Sequence, residues 1–178
     1  MSSYPMYVLM AEEDYKNAVD NLETVNNLGP YEDDLVEEND FIANFGQGYV
    51  SYKRIFDDAR KQAEAAGELV RFYGEDICHT DGNVLVFEAD APRKYAAKQL
   101  KAIHAILEGM TPEKYLDTGE YLLRTTIRTD ACFVHTYEWE EGYVDDEYVQ
   151  SADRFLIHTL ADNPRRRFVV TQELGCHD

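Results

Sequence analysis

The apolar residues of this chain recur with two different periods, and these alternate irregularly along it. "YPMYVLM" (4–10) and "RRRFVVTQEL" (165–174) are typical of β-strands, whereas residues 11–26 and 48–66 have the three- and four-residue spacing of amphipathic helices. The strict strand–helix–strand rhythm of a parallel sheet is missing. The sequence therefore predicts an α+β fold, a mainly antiparallel sheet with about four helices packed on it, in a single compact domain of residues 1–178.

Turn and capping residues refine this prediction in the middle of the chain. Residues 68–89 are predicted to be extended and to include a hairpin, because Asp81 and Gly82 favour a tight turn. Asp90 is expected to cap a helix over 91–109, with Pro92 near its first turn. The inward-facing stripe of that helix is predicted to be Ala96, Leu100, Ile103 and Leu107.

The C-terminal part is predicted to mix both element types. Two strands are expected over 120–128 and 131–139, and a last helix over 146–161. Acids at 145–147 would then occupy a first helical turn, where the helix dipole favours them. The arginines of the basic run "NPRRRF" (163–168) are predicted to pair with acids within the same fold, with pairing across a dimer as the alternative.

The chain is strongly acidic, with 35 Asp and Glu against 17 Lys and Arg and a formal net charge of −18. Direct binding of DNA, RNA or anionic lipid depends on Lys and Arg, so this balance argues against those ligands and favours a basic protein partner. No run of 18 apolar residues predicts a membrane span. Three cysteines are too few for a disulfide framework, which favours an intracellular, cytoplasmic setting.

The acids are concentrated in two stretches. Residues 11–50 contain eleven acids and one base, and residues 137–153 contain seven acids and no base. Carboxylates two residues apart on a strand are spaced by about 6.6–6.8 Å, and those three or four apart on a helix by about 5–6 Å at Cβ. Both spacings approximate a row of nucleic-acid phosphates.

These stretches predict an acidic inhibitor that occludes a basic, nucleic-acid-binding surface of another protein. Interspersed Tyr and Trp would anchor the contact, since such rings are enriched at interface hot spots. In composition alone, the chain resembles the nucleic-acid mimics of phages and plasmids that block restriction and other defence enzymes. The predicted partner-binding residues are Tyr31, Glu32, Asp33, Asp34, Glu37, Glu38, Asp40, Glu138, Glu140, Glu141, Tyr143, Asp145 and Asp146.

A small intracellular enzyme is the alternative hypothesis. It would use a His/carboxylate or Cys/His site, with zinc as one option, although no spacing matches a short zinc module. The pairs from which such a site could be assembled are Cys78 with His79, Cys132 with His135, and Cys176 with His177. No cofactor, metal site or catalytic residue is predicted, and the oligomeric state stays open, a homodimer included.

Overall fold

The computed structural model describes residues 3–21, 49–127, 133–140, 143–162 and 165–177. Seven strands lie within these ranges: β1 (Ser3–Ala11), β2 (Tyr49–Ile55), β3 (Cys78–Asp81), β4 (Val84–Phe87), β5 (Phe133–Glu140), β6 (Tyr143–Ser151) and β7 (Arg167–His177). They form one sheet in the order β3-β4-β7-β1-β5-β6, and β2 also pairs with β7. Only the β1–β5 pair is parallel among the described strands.

Five helical segments accompany the described strands: α1 (Glu12–Asn21), α2 (Ala59–Tyr73), α3 (Ala91–Glu108), α4 (residues 112–127) and α5 (residues 152–162). Helices α4 and α5 each contain a π-helical turn, at Tyr115–Gly119 and Phe155–Thr159 respectively. The predicted α+β class and mainly antiparallel sheet are thus confirmed. None of these described helices has both the length and the apolar character needed to cross a bilayer.

Strand β7 is the centre of the sheet. Strand β1 pairs along one of its edges, and β4 and β2 share the other, β4 at Arg167–Val169 and β2 from Gln172 to His177. Between them, the backbone N–H of Phe56 donates to the carbonyl of Thr171 at 2.9 Å. Both edges of β7 are therefore paired along its length, which explains how an eleven-residue strand is satisfied.

The main core lies between one face of the sheet and helices α2, α5 and the start of α3. Aromatic rings form its centre in edge-to-face contacts, with centroids 5.4 Å apart for Tyr73–Phe87 and 5.7 Å for Phe155–Phe168. Helix α2 presents Leu69 to this core at the spacing expected of an amphipathic helix. These contacts attach α2 firmly to the sheet.

The opposite face of the central strands is buried as well. Along β1, Tyr7 and Leu9 belong to the main core, and the alternating Met6, Val8 and Met10 are also buried. Helix α1 packs against β1, β5 and β7 and buries Ala18. This explains why "YPMYVLM" is apolar at nearly every position rather than at alternate ones.

Two of the local predictions hold closely. The turn at 81–84 joins β3 to β4, and Gly82 has φ 62°, a conformation that favours glycine. Helix α3 begins at Ala91 with proline in its first turn, but the Asp90 side chain makes no capping hydrogen bond. It pairs instead with Lys94, at 3.0 Å.

The helix predicted over 48–66 is wrong in its first part and too short at its end. Residues 49–55 form β2 because pairing with β7 satisfies their backbone groups, and helix α2 begins only after Asp58, whose side chain accepts from the Lys61 N–H at 2.8 Å. The helix continues past Gly67 to Tyr73, where Leu69 and Tyr73 are buried. Tertiary packing therefore outweighed two local signals, the helical spacing of residues 49–55 and the helix-ending tendency of Gly67.

Two predictions for the C-terminal part are wrong, in each case because contact with another element determines the secondary structure. Residues 120–128 were expected as a strand, but Glu120–Ile127 continue α4, which begins at a Thr111 cap and contacts α3. Residues 146–151 were expected as helix, but they belong to β6, which pairs with β5. Neither the packing of α4 on α3 nor the pairing of β6 with β5 can be predicted from the local sequence pattern.

Helix α3 differs from its predicted orientation. Of the stripe expected to face inward, Leu100 is 56% exposed and Leu107 is 49% exposed, while Ala96 and Ile103 are half-buried. Only Ala91 and Tyr95, near its start, are buried in this helix. Helix α3 is therefore held to the core at one end, and its apolar stripe remains largely open to solvent.

Candidate functional site

The acidic stretch "YEWEEGYVDDEYV" forms most of the β5–β6 hairpin. Its register pairs Tyr137 with Asp146, Glu138 with Asp145, Trp139 with Val144, and Glu140 with Tyr143. The irregularity in this pairing lies before Tyr137, so the strand ends beyond it alternate regularly. The first helical turn expected at 145–147 is therefore wrong, and the helix dipole does not account for these acids.

Alternation and register together divide the hairpin end into two faces. Successive strand residues point to opposite faces, and directly paired residues share one. One face consequently carries the four positions Glu138, Glu140, Tyr143 and Asp145, which we call the acidic face. The other carries Trp139, Val144, Tyr137 and Asp146.

The acidic face lies beyond the part of the hairpin that the rest of the sheet supports. Strand β1 pairs with β5 from Phe133 to Tyr137 and no further. From Glu138 onward, β5 has only β6 as its partner among the described strands, and β6 is the last strand of the sheet order. Among the described strands, the acidic face is thus on a two-stranded extension at a sheet edge.

The base of this hairpin is fixed to the core where β6 enters α5. The Tyr73 hydroxyl donates to the carbonyl of Ala152 at 2.8 Å, and the Tyr95 hydroxyl donates to the buried carboxylate of Asp153. Gln99 donates in turn to the Tyr95 oxygen at 2.9 Å. Buried hydrogen bonds of this kind rigidify their surroundings, so the projecting end has a fixed origin.

The register places two acidic residues, Glu138 and Asp145, directly opposite each other. Like charges at paired positions of an antiparallel sheet destabilise it by a few tenths of a kcal/mol to about 1 kcal/mol. Residues 137–153 contain no Lys or Arg to offset this cost. Two like charges at paired positions are a locally unfavourable choice, and such a choice is a common sign of a functional surface.

The other predicted partner-binding residues fall outside the described parts of the chain. They are Tyr31, Glu32, Asp33, Asp34, Glu37, Glu38, Asp40 and Glu141. Residues 31–41, for which the sequence allows either an acidic connection or a short helix, lie in the same undescribed stretch. Whether these residues share a face with the hairpin stays a prediction.

The acids at the start of α1 have partners within the chain. Arg167 donates to Glu12 and, at 2.9 Å, to Asp81, while Arg165 donates to the buried Asp14 at 2.7 Å. The hydrogen bond from Arg167, followed by that from Lys16, holds the pKa of Glu12 below its usual value. The intramolecular pairing predicted for the basic run is confirmed for these two arginines.

The cysteine–histidine set gains no support from the residues whose side chains are described. The Cys78 thiol is buried in the core, and burial, followed by the charges of Asp76 and Glu88, raises its pKa to about 12. His79 points to Glu88 instead, at 3.0 Å. Cys78 is therefore a structural thiol rather than a nucleophile, and within the described ranges no group of three or more His, Cys, Asp or Glu could hold a metal ion.

Helices α3 and α4 form a second surface, which was not predicted from the sequence. Gly109–Thr111 joins them, and Thr111 caps α4 by accepting from the Lys114 N–H at 3.3 Å. From residue 96 to residue 123 only Gly119 is buried. The signal that could have identified this surface is the basic character of α3 in an otherwise acidic chain.

No family model matches this sequence, and neither a curated protein nor a solved structure is significantly similar to it. The functional assignment consequently rests on the geometry and charge of the chain itself.

Proposed function

We propose that this protein acts by binding, and that its acidic face covers a basic surface of a nucleic-acid-binding protein. The observation that supports the proposal is the register of the β5–β6 hairpin, which gathers three acidic residues and a tyrosine on one face of a projecting sheet edge. The seven acids of residues 137–153 have no base among them. A surface of this kind is suited to a partner rich in Lys and Arg.

The spacing of the acidic face suits a phosphate-binding surface in particular. Glu138 and Glu140 are two residues apart on one strand, a separation of roughly 6.6–6.8 Å along the backbone. A basic cleft that binds a phosphate row would meet a comparable row of charges here. Tyr143 adds a ring of the type enriched at interface hot spots.

Long-range attraction would also act on the encounter. A chain of net charge −18 attracts a basic partner before contact, which raises the association rate at low salt. Affinity should then fall as the salt concentration rises. Nucleic acid should compete for the same partner, since both ligands would occupy one basic cleft.

A purely structural role for the same acids makes a different prediction. Charged residues on an edge strand prevent edge-to-edge aggregation, and β6 is an edge strand among those described. In that case, neutralising the acidic face would promote aggregation without changing any binding. The two roles are separated by measuring both properties on one variant.

The decisive experiment uses the variant Glu138→Gln/Glu140→Gln/Asp145→Asn. The wild-type chain is immobilised on a resin and incubated with a cell lysate at low salt. Bound proteins are eluted with a salt gradient. Each captured protein is then tested for release from the resin by a DNA or RNA duplex. We expect a nucleic-acid-binding protein to be captured, released by the duplex, and lost from the variant.

The matched control is Glu64→Gln/Glu68→Gln/Glu75→Gln, which removes three exposed acids from α2 and the loop that follows it. It changes the net charge by the same amount, so it should retain the partner. Equal retention by both variants would contradict the proposal, as would equal loss, because capture would then depend on net charge rather than on the acidic face.

A stability measurement on Asp145→Asn sharpens the same test. Removing one member of the Glu138–Asp145 pair should raise the free energy of unfolding by about 0.2–1 kcal/mol, because a like-charge repulsion is relieved. Urea denaturation of the two proteins at low salt measures it. A loss of stability would mean that Asp145 has a stabilising role in the chain, and the acidic face would no longer be unfavourable on its own.

A further inference from the structure

The large exposed apolar side chains of this protein are concentrated on α3 and α4, which we call the arm (residues 91–127). Of the eight in the described part, six lie here: Leu100, Leu107, Tyr115, Leu116, Tyr121 and Leu122. Leu116 is 85% exposed and Tyr121 is 70% exposed. Clustered exposed apolar residues of this size mark protein–protein contacts more often than isolated ones do.

The arm also differs from the rest of the chain in charge. It contains six Lys and Arg and four Asp and Glu, a net charge of +2 within a chain of net charge −18. Two copies of this protein repel each other over most of their surfaces. The arm is a region where two copies can approach without adding to that repulsion.

Charge is distributed along the arm in two opposite halves. Residues 91–107 carry four bases and no acid, whereas residues 108–120 carry four acids and one base. Helix α3 runs from the core outward, and α4 runs back from the Gly109–Thr111 connection. The end near the core is therefore basic and the far end is acidic.

Some of these charges are already engaged within the chain. Lys94 pairs with Asp90 at 3.0 Å, and Lys98 donates to the carbonyl of Tyr73 at 3.2 Å. Lys101 and Glu108 form no ion pair with any residue of the described chain. Both lie beside the exposed leucines, one residue after Leu100 and Leu107 respectively.

We propose that the arm is the interface of a homodimer, in which two copies of α3 pack antiparallel about a two-fold axis near residues 103 and 104. Leu100 of each copy then lies opposite Leu107 of the other. Lys101 lies two residues along the axis from Glu108 of the second copy, about 3 Å at the helical rise. The basic half of each arm faces the acidic half of the other.

The antiparallel arrangement is the one that the charges select. A parallel pairing would place Lys101 beside Lys101 and the acidic ends together, which is unfavourable. The antiparallel contact is isologous, so two copies satisfy each other and the assembly closes. It buries the apolar stripe that a single copy of the chain leaves exposed.

The first test is the oligomeric state of the whole chain. Sedimentation equilibrium over a wide concentration range should give a monomer–dimer equilibrium for the wild-type protein. Leu107→Glu should raise the dimer dissociation constant at least about tenfold, because an interface anchor is replaced by a charge. Val19→Glu, which changes an exposed apolar residue outside the arm, should leave it unchanged.

Charge reversal provides the sharper test. Lys101→Glu and Glu108→Lys should each weaken the dimer, and the double variant should restore it, since the pair is exchanged between copies. A side chain that merely supports the fold would give no such rescue. Circular dichroism and thermal unfolding of each variant confirm that the chain is folded.

Crosslinking checks the position of the axis. His104→Cys should form a disulfide-linked dimer on mild oxidation, because the two copies of residue 104 meet near the axis. The wild-type chain, treated in the same way, reports any crosslinking through its own cysteines. A monomer at every concentration would overturn the proposal, and so would a dimer that Leu107→Glu leaves intact.

A third result would also overturn it. If association depends on Asp145 and the double charge reversal does not restore it, the arm meets the acidic face of another copy instead. That contact is heterologous and would produce open chains of molecules rather than a closed dimer. Sedimentation velocity distinguishes these, because open chains grow with concentration beyond the dimer.

Discussion

Helices α2 and α3 have similar apolar patterns and opposite environments. In α2 the apolar stripe is buried, with Ala66, Leu69 and Tyr73 fully inaccessible to solvent. In α3 the corresponding stripe leaves Leu100 and Leu107 about half exposed. One helix lies flat on β3, β4 and β7, while the other is held at its first turns and continues outward.

An amphipathic pattern therefore specifies that a helix has an apolar side, but it does not specify what covers that side. In α2 the cover is the sheet of the same chain. In α3 only Ala91 and Tyr95 are buried, and α4 half-covers the rest. The apolar side chains of the two helices should therefore contribute very differently to the stability of the monomer.

The largest contrast is between two leucines. Leu69→Ala should lower the free energy of unfolding by about 2–5 kcal/mol, because it removes a fully buried side chain and leaves a cavity. Leu107→Ala should change it by less than about 0.5 kcal/mol in the monomer, as surface substitutions do. Urea denaturation at a protein concentration below the dimer range measures both. Comparable losses would mean that the arm stripe is buried in the monomer after all.

Alanine substitutions at two glycines, one in each region, should change the free energy of unfolding in opposite directions. A Cβ on Gly119 in α4 would lie 2.9 Å from the Met110 sulfur and 3.2 Å from the Tyr115 Cβ, whereas one on Gly67 in α2 would meet nothing within 4 Å. Gly119→Ala should therefore destabilise the protein by about 1–3 kcal/mol. Gly67→Ala should stabilise it by roughly 0.5–1 kcal/mol, because alanine favours the helix.

Thermal unfolding followed by circular dichroism measures both substitutions. Gly119→Ala should also weaken the dimer, since it disturbs the packing of α4 that supports the arm, and Gly67→Ala should not. If both glycine variants are stabilised, α4 packs less closely than the contacts of Gly119 indicate.

A pH effect at Cys78 tests how completely α2 covers the core. The pKa of the buried Cys78 thiol is raised from 9.0 to about 12. Below pH 9 the thiol is protonated in both states, and its contribution to stability is fully present. Between pH 9 and pH 12 the unfolded chain releases the proton and the folded chain retains it, so stability should fall by up to about 1.4 kcal/mol per pH unit.

The control for this effect is Cys78→Ala, compared with the wild type in urea denaturation at pH 8 and pH 10. Every other titratable group is the same in the two proteins, so the difference between their slopes isolates Cys78. If stability depends on pH equally in both proteins, the thiol is accessible to solvent. Helix α2 would then cover the core less completely than the full burial of Leu69 indicates.

Several elements could be predicted from the sequence because their signals are local. Strand β1, the hairpin turn at Gly82 and helix α3 follow from apolar runs, a positive-φ glycine and a proline in a first turn. Strand β2 and helix α4 could not be predicted in this way. Residues 49–55 become a strand only because β7 offers an edge, and residues 120–127 stay helical because α4 packs on α3.

The candidate site, too, could be predicted from the sequence only in part. The sequence indicated that residues 137–149 are acidic and aromatic, and that Glu138 and Glu140 share a strand face. It did not show that Asp145 joins them, because that depends on the pairing of β6 with β5. The exposure of the apolar stripe on the arm could not be predicted either, since the spacing of leucines is the same whether they are buried or exposed to solvent.

The charge of this protein, its α+β class and the apolar stripe of helix α3 follow from the sequence alone. These depend on residue type and on spacing, which are properties of the chain alone. Which apolar stripe is covered, which acids pair with arginines and which acids lie on one face all depend on the tertiary structure. Those outcomes depend on contacts between distant residues, such as Arg165 with Asp14 and Glu138 with Asp145, which no local pattern records.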